Sequence, residues 1–166
     1  DNGWSAMAGE GGHVTLSATT HAEAELIAGV SREFGHCSAE RLISGPGLVR
    51  IYTGIGGEAC APEKITELAF DGEATAAQAM EIFCELLGTV ASNLALTVGA
   101  HGGVYLAGGI LPNMTEVFAT SGFRKRFEAK ARLGDYMAEI PTYVITAEYP
   151  SFLGLAGYMH RKPLAE

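Results

Sequence analysis

The sequence predicts an α/β sandwich, in which helices pack on the faces of a β-sheet. Short apolar runs of strand length alternate along the chain with segments of helical periodicity. Apolar residues make up 48% of the 166 residues and charged residues only 18%, which excludes a disordered chain and supports a sizeable core. The length suits one domain. The 22 glycines are about twice the usual share and indicate tight turns and close backbone approaches.

The first elements are two strands and a helix. Residues 4–8 and 14–18 are short apolar runs that favour strands, with a glycine-rich turn between them. Thr20 and Glu23 have the spacing of a capping box, which predicts a helix through about residue 34. Gly35 then ends that helix.

Short helices follow. Ser38 is the expected N-cap of the first of them, and the sequence Ser44-Gly45-Pro46-Gly47 should stop it. Pro62 suits the first position of a later helix. The predicted helices cover residues 39–43, 48–54 and 62–70.

The strongest helical signal covers residues 74–99 and predicts a central helix. Its apolar side chains recur at spacings of three and four and predict one inward stripe: Ala76, Met80, Phe83, Leu87, Val90, Leu94 and Val98. Residues 86–115 contain no charge, but Pro112 and two glycine pairs interrupt them, so a membrane span is not expected.

The last third of the chain continues the alternation. Residues 103–107 form a continuous apolar run that predicts a buried strand, and Gly108-Gly109 should lead directly into a helix. The remaining predicted elements are a helix over residues 121–138 with a basic, solvated outer face, a strand over 141–146 and a helix over 150–160.

The charge balance restricts the partners. The net charge is −8, whereas a protein that binds nucleic acid or anionic membranes favours a positive surface. Residues 1–85 carry 4 basic and 13 acidic residues, while residues 86–166 carry 7 and 6. The three cysteines have no metal-site or disulfide spacing, so we expect reduced core thiols. No signal-peptide pattern is present in the sequence, and a cytoplasmic location is expected.

The turn Gly9-Glu10-Gly11-Gly12-His13 carries the first candidate functional side chains. A carboxylate accepts hydrogen bonds and a neutral imidazole both donates and accepts them, a set that suits the vicinal hydroxyls of a sugar. A glycine-rich hairpin with two solvated polar tips explains the same pattern. Glu40 is the second candidate, although a glutamate in the first turn of a helix is favoured wherever it occurs. Glu10, His13 and Glu40 could also hold a divalent metal, but no metal-binding spacing supports that.

Two further motifs are weaker. Backbone N–H groups at Gly108 and Gly109 could receive a phosphate where the strand ends, although two glycines there also suit an ordinary turn. The basic cluster Arg124, Lys125, Arg126, Lys130 and Arg132 is interpreted as a solvated helix face with i,i+4 pairs to Glu128.

Several blocks together resemble the C-terminal part of the bacterial glucokinases, the ATP-dependent group outside the ROK family. The resemblance covers nearly the whole chain in the order of its blocks: Gly9-Glu10-Gly11-Gly12-His13-Val14, Ser38-Ala39-Glu40-Arg41, Ser44-Gly45-Pro46-Gly47-Leu48, Asn93-Leu94-Ala95-Leu96 and Gly102 to Ile110. It implies part of the actin-like, ribonuclease-H-like ATPase domain, with a mixed sheet flanked by helices.

This resemblance also implies roles for residues. Glu10, His13 and Glu40 would bind glucose, and Gly108 and Gly109 would face ATP, which acts with Mg²⁺. The family's phosphate-binding block and its general-base aspartate are not in these residues. Residues 1–166 are therefore expected to be an incomplete C-terminal large domain, lacking the small N-terminal domain and the first strand of the large domain, with no metal ligands of its own and inactive alone.

The implied function is phosphorylation of glucose to glucose 6-phosphate, the first step of glycolysis, by a cytoplasmic homodimer in its full-length form. Two alternatives stay open on the same fold: a non-catalytic sugar sensor, and a structural or dimerisation domain.

Overall fold

The computed structural model describes residues 6–159 and confirms the α/β class, with a predominance of helix. Within this part, the helices and strands are α1 (His21–Phe34), α2 (Ala39–Leu42), α3 (Gly45–Gly54), α4 (Pro62–Phe70), α5 (Ala74–Val98), β1 (Val104–Leu106), α6 (Thr115–Thr120), α7 (Phe123–Glu128), α8 (Gly134–Ala138), β2 (Thr142–Val144) and α9 (Pro150–Met159). Three short 3₁₀ turns cover Gly11–His13, Leu111–Asn113 and Ala131–Leu133.

Helix α5 is the centre of the core. It packs against α3, α4 and α7, and its buried residues include Met80, Phe83 and Leu86. It is the one described helix long and apolar enough to span a membrane, but 61% of its most apolar window is buried inside the protein. That burial is the environment of a core helix.

The predicted inward stripe of α5 holds only in its first part. Ala76, Met80 and Phe83 are buried, whereas Leu94 and Val98 are about half exposed. Small residues take over the buried face near the C-terminal end, where α7 lies against the helix: Gly88, Ala91, Ser92 and Ala95. The close approach of α7 therefore determines which residues are buried at this end of α5, and those residues are small.

Local hydrogen bonds confirm the capping signal of α1. Thr20 Oγ1 accepts a bond from the Glu23 N–H at 3.2 Å, and the Glu23 carboxylate accepts one from the Thr20 N–H at 3.2 Å. Gly35 ends α1 in the left-handed conformation, with φ of 76°. Pro62 begins α4 as predicted.

The predicted start of α3 at residue 48 is wrong. The helix begins at Gly45 because the Ser44 hydroxyl accepts a hydrogen bond from the Gly47 N–H at 3.1 Å, which makes Ser44 an N-cap. Pro46 fits within the first turn, where its missing N–H costs nothing. The sequence expected to stop α2 thus also starts α3.

The sheet is smaller than expected. In the described part it has two parallel strands, β1 and β2, with Tyr105 opposite Tyr143. The strand expected at 14–18 is reduced to one antiparallel bridge between Thr15 and Ser38. Of the strand expected at 4–8, residues 6–8 are irregular and the rest lie outside the described residues.

The single helix expected over 121–138 is wrong. It is divided into α7, a 3₁₀ turn and α8, with Ala131 at a positive φ of 47°. The turn lets α8 fold back onto α7, where the Arg124 guanidinium donates to the carbonyl oxygens of Ala138 and Ile140, both at 2.8 Å. These bonds satisfy carbonyl groups at the end of α8.

Helix α9 differs from the other long helices. It begins at Pro150, as predicted, and extends to Met159, while His160 lies outside the described residues. Its apolar side chains are exposed: Phe152, Leu153, Leu155 and Met159.

Candidate functional site

Backbone hydrogen bonds hold the glycine-rich turn beside the start of α2. The N–H of Leu16 donates to the carbonyl oxygen of Cys37 at 3.0 Å, and the N–H of Ala39 donates to that of Val14 at 3.0 Å. These two bonds join segments more than twenty residues apart. They place the 3₁₀ turn Gly11–His13 next to the first turn of α2.

His13 and Glu40 are brought together by this pairing. His13 Nε2 lies 3.8 Å from Glu40 Oε2, and their side chains are 67% and 63% exposed. The distance is too long for a direct hydrogen bond, so both groups keep their hydrogen-bonding capacity for a ligand. Gly12 lies against Glu40, since a Cβ at Gly12 would be 3.7 Å from the Glu40 Cβ.

Glu10 begins the same turn. Its carbonyl oxygen accepts a hydrogen bond from the His13 N–H at 3.0 Å, and the residue is exposed. The turn therefore presents an acid and an imidazole three residues apart, with the Glu40 carboxylate beside the imidazole.

Two cavities meet at Glu40. The first, of about 550 Å³, has mostly apolar walls that include Val14, Leu16 and Leu94. The second, of about 480 Å³, is polar and contains His13 on its wall. Both volumes lie in the range of small-molecule sites, roughly 300–1,000 Å³. The His13 and Glu40 side chains together border only the second cavity.

Three further side chains of the polar cavity had no predicted role: His36, Arg41 and Arg50. The Arg41 and Arg50 guanidinium carbons lie 3.9 Å and 5.0 Å from the centroid of the Phe34 ring. The sequence shows no local pattern for this arrangement, because Phe34 belongs to α1, Arg41 to α2 and Arg50 to α3. Only the fold brings them together.

Cys37 lies beneath the same cluster and is 1% exposed. Burial raises the pKa of its thiol, while the positive charges of Arg41 and Arg50 oppose that rise. We therefore regard Cys37 as a protonated core thiol, in agreement with the sequence interpretation.

Gly108 and Gly109 lie elsewhere, directly after β1. Gly108 has a φ of 140°, and a Cβ at either glycine would meet no atom within 4 Å. Gly109 borders a cavity of about 200 Å³ shared with Pro62 and Asn113, which is small for a nucleotide. The helix expected directly after them is preceded by the 3₁₀ turn Leu111–Asn113, and α6 begins only at Thr115.

The described residues bring together no group of three or more His, Cys, Asp or Glu side chains that could hold a metal ion.

The prediction for the basic cluster holds for one arginine of α7 and fails for another. Arg124 pairs with Glu128 at 2.6 Å as predicted, but the solvated role proposed for Arg126 is wrong. Its side chain is only 12% exposed and pairs with both Glu23 and Glu85, because α7 packs directly on α5.

Comparison with known proteins identifies close relatives. A glucokinase of Aromatoleum aromaticum is 49% identical over 93% of this chain, which corresponds to 49% of that protein. A glucokinase of Paramagnetospirillum magneticum is 48% identical over 93% of the chain and 50% of its own length. The chain thus spans about half the length of the curated relatives it matches.

Solved structures agree. The crystal structure of a glucokinase from an Antarctic psychrotroph matches with a TM-score of 0.86 and 32% identity, covering 94% of this chain and 51% of that one. A glucokinase of Balamuthia mandrillaris in complex with glucose has the same fold, with a TM-score of 0.79 at 24% identity over 97% of this chain and 49% of its own. The glucokinase family model matches residues 1–162, and the chain belongs to the glucokinase family.

Proposed function

We propose that the full-length protein transfers a phosphoryl group from ATP to glucose and that this chain supplies the side chains that position the sugar. The observation that carries the proposal is the approach of His13 to Glu40 at 3.8 Å across 27 residues of sequence. Family membership over residues 1–162 supports the same activity.

Glu10, His13 and Glu40 would act by orientation. Each sugar hydroxyl both donates and accepts a hydrogen bond, so two carboxylate acceptors and one imidazole can fix the ring by several directional contacts. Holding the acceptor hydroxyl in one position lowers the entropic part of the barrier to transfer. Proton removal from that hydroxyl falls to an aspartate outside this segment in the family pattern.

Gly108 and Gly109 are the proposed contacts to the nucleotide. The open space around both glycines supports a close approach of a ligand to their main chain. Mg²⁺ would supply charge neutralisation at the ATP phosphates. The contribution proposed for this chain is to the binding of glucose and ATP.

We propose that the chain is part of an actin-like, ribonuclease-H-like ATPase domain, specifically an incomplete C-terminal large domain of a cytoplasmic homodimer. The exposed apolar residues of α9 support the idea that the other half of the polypeptide packs on this one, since contiguous exposed apolar surface marks an interface.

Calorimetric titration with glucose tests the sugar assignment. The protein would join this chain to the half of the Aromatoleum aromaticum relative that it does not match. We expect Glu10→Gln and Glu40→Gln each to weaken glucose binding by about tenfold or more, the loss of one charge-assisted hydrogen bond. Glu33→Gln, an exposed acid on α1, is the matched control. Unchanged glucose affinity in both site variants contradicts the assignment.

Activity of the chain alone provides a second test. Residues 1–166 should release no ADP in the presence of ATP, Mg²⁺ and glucose, whereas the joined protein should. Glucose-dependent ADP release by the chain alone disproves the proposal that catalysis needs residues outside this chain. Glucose binding by the joined protein without any phosphorylation supports the sugar-sensor alternative instead.

A further inference from the structure

The Phe34 end of the polar cavity concentrates positive charge in an acidic part of the chain. Residues 1–85 contain 4 basic and 13 acidic residues, yet two of those four, Arg41 and Arg50, share the ring of Phe34 at 3.9 Å and 5.0 Å. Both guanidinium groups border the cavity. Two like charges beside one ring repel each other unless a counter-charge is near.

No carboxylate among the described residues pairs with either guanidinium group. Among residues 6–159, neither Arg41 nor Arg50 forms an ion pair with an acid, although residues 1–85 carry 13 acids. The one acid that borders the cavity, Glu40, lies 3.8 Å from His13. The polar contact of Arg50 is a donated bond to the Arg41 carbonyl oxygen at 3.4 Å, which leaves most of the guanidinium donors unused.

The cluster is held in place by its surroundings. Cation–π contacts with the Phe34 ring hold both guanidinium groups near it, and the His36 ring is hydrogen-bonded to Thr15 Oγ1 at 2.9 Å. His36 and His13 both border the same cavity. The arrangement therefore offers two guanidinium forks and two imidazoles to one space of about 480 Å³.

We propose that this end of the cavity binds a phosphate group, with Arg41 and Arg50 as its principal ligands. A guanidinium donates two parallel hydrogen bonds to a phosphate, and two guanidinium groups match its dianionic charge. The group could belong to free phosphate or to a phosphate monoester of a sugar whose hydroxyls reach Glu40 and His13. A phosphate bound here would occupy the same cavity that His13 and Glu40, the residues proposed to bind the sugar, also border.

Titration with inorganic phosphate, at constant ionic strength with chloride as the balancing anion, tests the site. The 166-residue chain should bind one equivalent saturably, followed by calorimetry and by the ring-proton shifts of His36. We expect Arg41→Gln and Arg50→Gln each to weaken binding by about tenfold, since each removes a charge-assisted pair. Arg32→Gln, an exposed arginine on α1 outside this cavity, should leave the affinity unchanged.

Phe34→Leu separates charge from geometry. It keeps both arginines but removes the ring that orients them, so we expect weaker phosphate binding with an unchanged net charge. The thermal midpoint of each variant, measured without phosphate, shows that the chain still folds. If the Phe34→Leu chain is unfolded, Arg41→Gln and Arg50→Gln decide the outcome, since Arg41 is exposed and Arg50 half-buried.

Glucose 6-phosphate distinguishes the two sources. Binding equal to that of inorganic phosphate identifies a site for phosphate alone. Tighter binding that Glu40→Gln reduces to the phosphate level identifies a sugar phosphate that spans both ends of the cavity. Non-saturable phosphate binding, or an equal loss in Arg32→Gln, overturns the proposal.

Discussion

The carboxylate of Glu23 accepts a hydrogen bond from the Arg126 guanidinium at 2.7 Å, although 103 residues separate them in sequence. The Glu23 side chain is 1% exposed, and it also accepts bonds from the N–H of Thr19 at 2.7 Å and of Thr20 at 3.2 Å. Arg126 pairs with Glu85 of α5 at 2.9 Å and donates to Thr19. Arg126 of α7 thus binds both Glu23 at the start of α1 and Glu85 of α5.

Glu23→Gln should destabilise the chain by about 2 kcal/mol at neutral pH, the range for lost hydrogen bonds to charged groups. Burial raises the pKa of Glu23, but the bonds from Thr19 and Arg126 outweigh it and hold the pKa below its ordinary value near 4.5. Because the pKa of Glu23 is lower in the folded state, the stability that its carboxylate contributes is fully present above the ordinary pKa. That stability is lost as the pH falls through the folded-state pKa. Urea unfolding at neutral and acidic pH measures it.

The control for this prediction is Glu25→Gln on the same helix. Glu25 is exposed and lies 3.4 Å from the exposed His21, and surface pairs of this kind contribute little. The difference in free energy of unfolding between wild type and Glu23→Gln should become smaller at acidic pH. For Glu25→Gln, this difference should already be near zero at neutral pH. A Glu23→Gln gap that widens as the pH falls contradicts the sign of the linkage.

Gly88→Ala should separate α5 from α7. A Cβ at Gly88 would lie 2.6 Å from the carbonyl oxygen of Phe123 and 3.1 Å from the Cβ of Arg126. Overpacking of this kind costs about 1–3 kcal/mol, more than the roughly 0.5–1 kcal/mol that a helix gains when alanine replaces glycine. We expect a net loss of about 1–2 kcal/mol in the free energy of unfolding.

Gly102→Ala is the matched control, because a Cβ at Gly102 would meet nothing within 4 Å. Thermal and urea unfolding of the two variants should differ clearly. If Gly88→Ala is as stable as Gly102→Ala, then α7 does not pack on α5 as closely as described.

Local chemistry explains which parts of the fold could be predicted from the sequence. The start of α1 depends on Thr20 and Glu23, three residues apart, and the start of α4 on Pro62 alone, so both were predictable. The division of residues 121–138 was not, because it depends on bonds from Arg124 to carbonyl groups that follow it by 14 and 16 residues. The burial of Arg126 depends on partners still further away.

The candidate site follows the same rule. The sequence indicated Glu10, His13 and Glu40 as residue types suited to a sugar, and family resemblance assigned them that role. Their spacing alone does not bring His13 to Glu40, since the approach depends on backbone bonds between residues 14–16 and 37–39. The cluster of Arg41 and Arg50 on Phe34 has no sequence signal, because three helices meet to form it.

The cysteines should differ in reactivity. Burial raises the pKa of Cys84 to about 12, so its thiolate fraction is negligible at neutral pH, and Cys37 is also buried with a raised pKa. Cys60 is only partly buried. Because the thiolate is the reactive form and needs access to reagent, a maleimide or iodoacetamide should label Cys60 first in the native chain.

Peptide mass spectrometry after timed labelling measures this order. Cys60→Ser should abolish fast native labelling, and all labelling sites should become equivalent in denaturant. Native labelling of Cys84 at the rate of Cys60 contradicts the burial described for α5.

Gly47→Ala tests whether the corner between α2 and α3 positions Glu40. A methyl group at Gly47 would overlap the backbone of Leu42, including its carbonyl group, and Leu42 ends the helix that carries Glu40. Backbone atoms cannot move aside as a flexible side chain can, so α2 must shift and carry Glu40 away from His13. We expect weaker glucose binding by the joined protein, together with a loss of about 1–3 kcal/mol in unfolding free energy.

Gly45→Ala is the control, because its Cβ would meet only Pro62 side-chain atoms at 3.5 Å or more. Full glucose affinity in a destabilised Gly47→Ala protein shows that Glu40 does not depend on this corner.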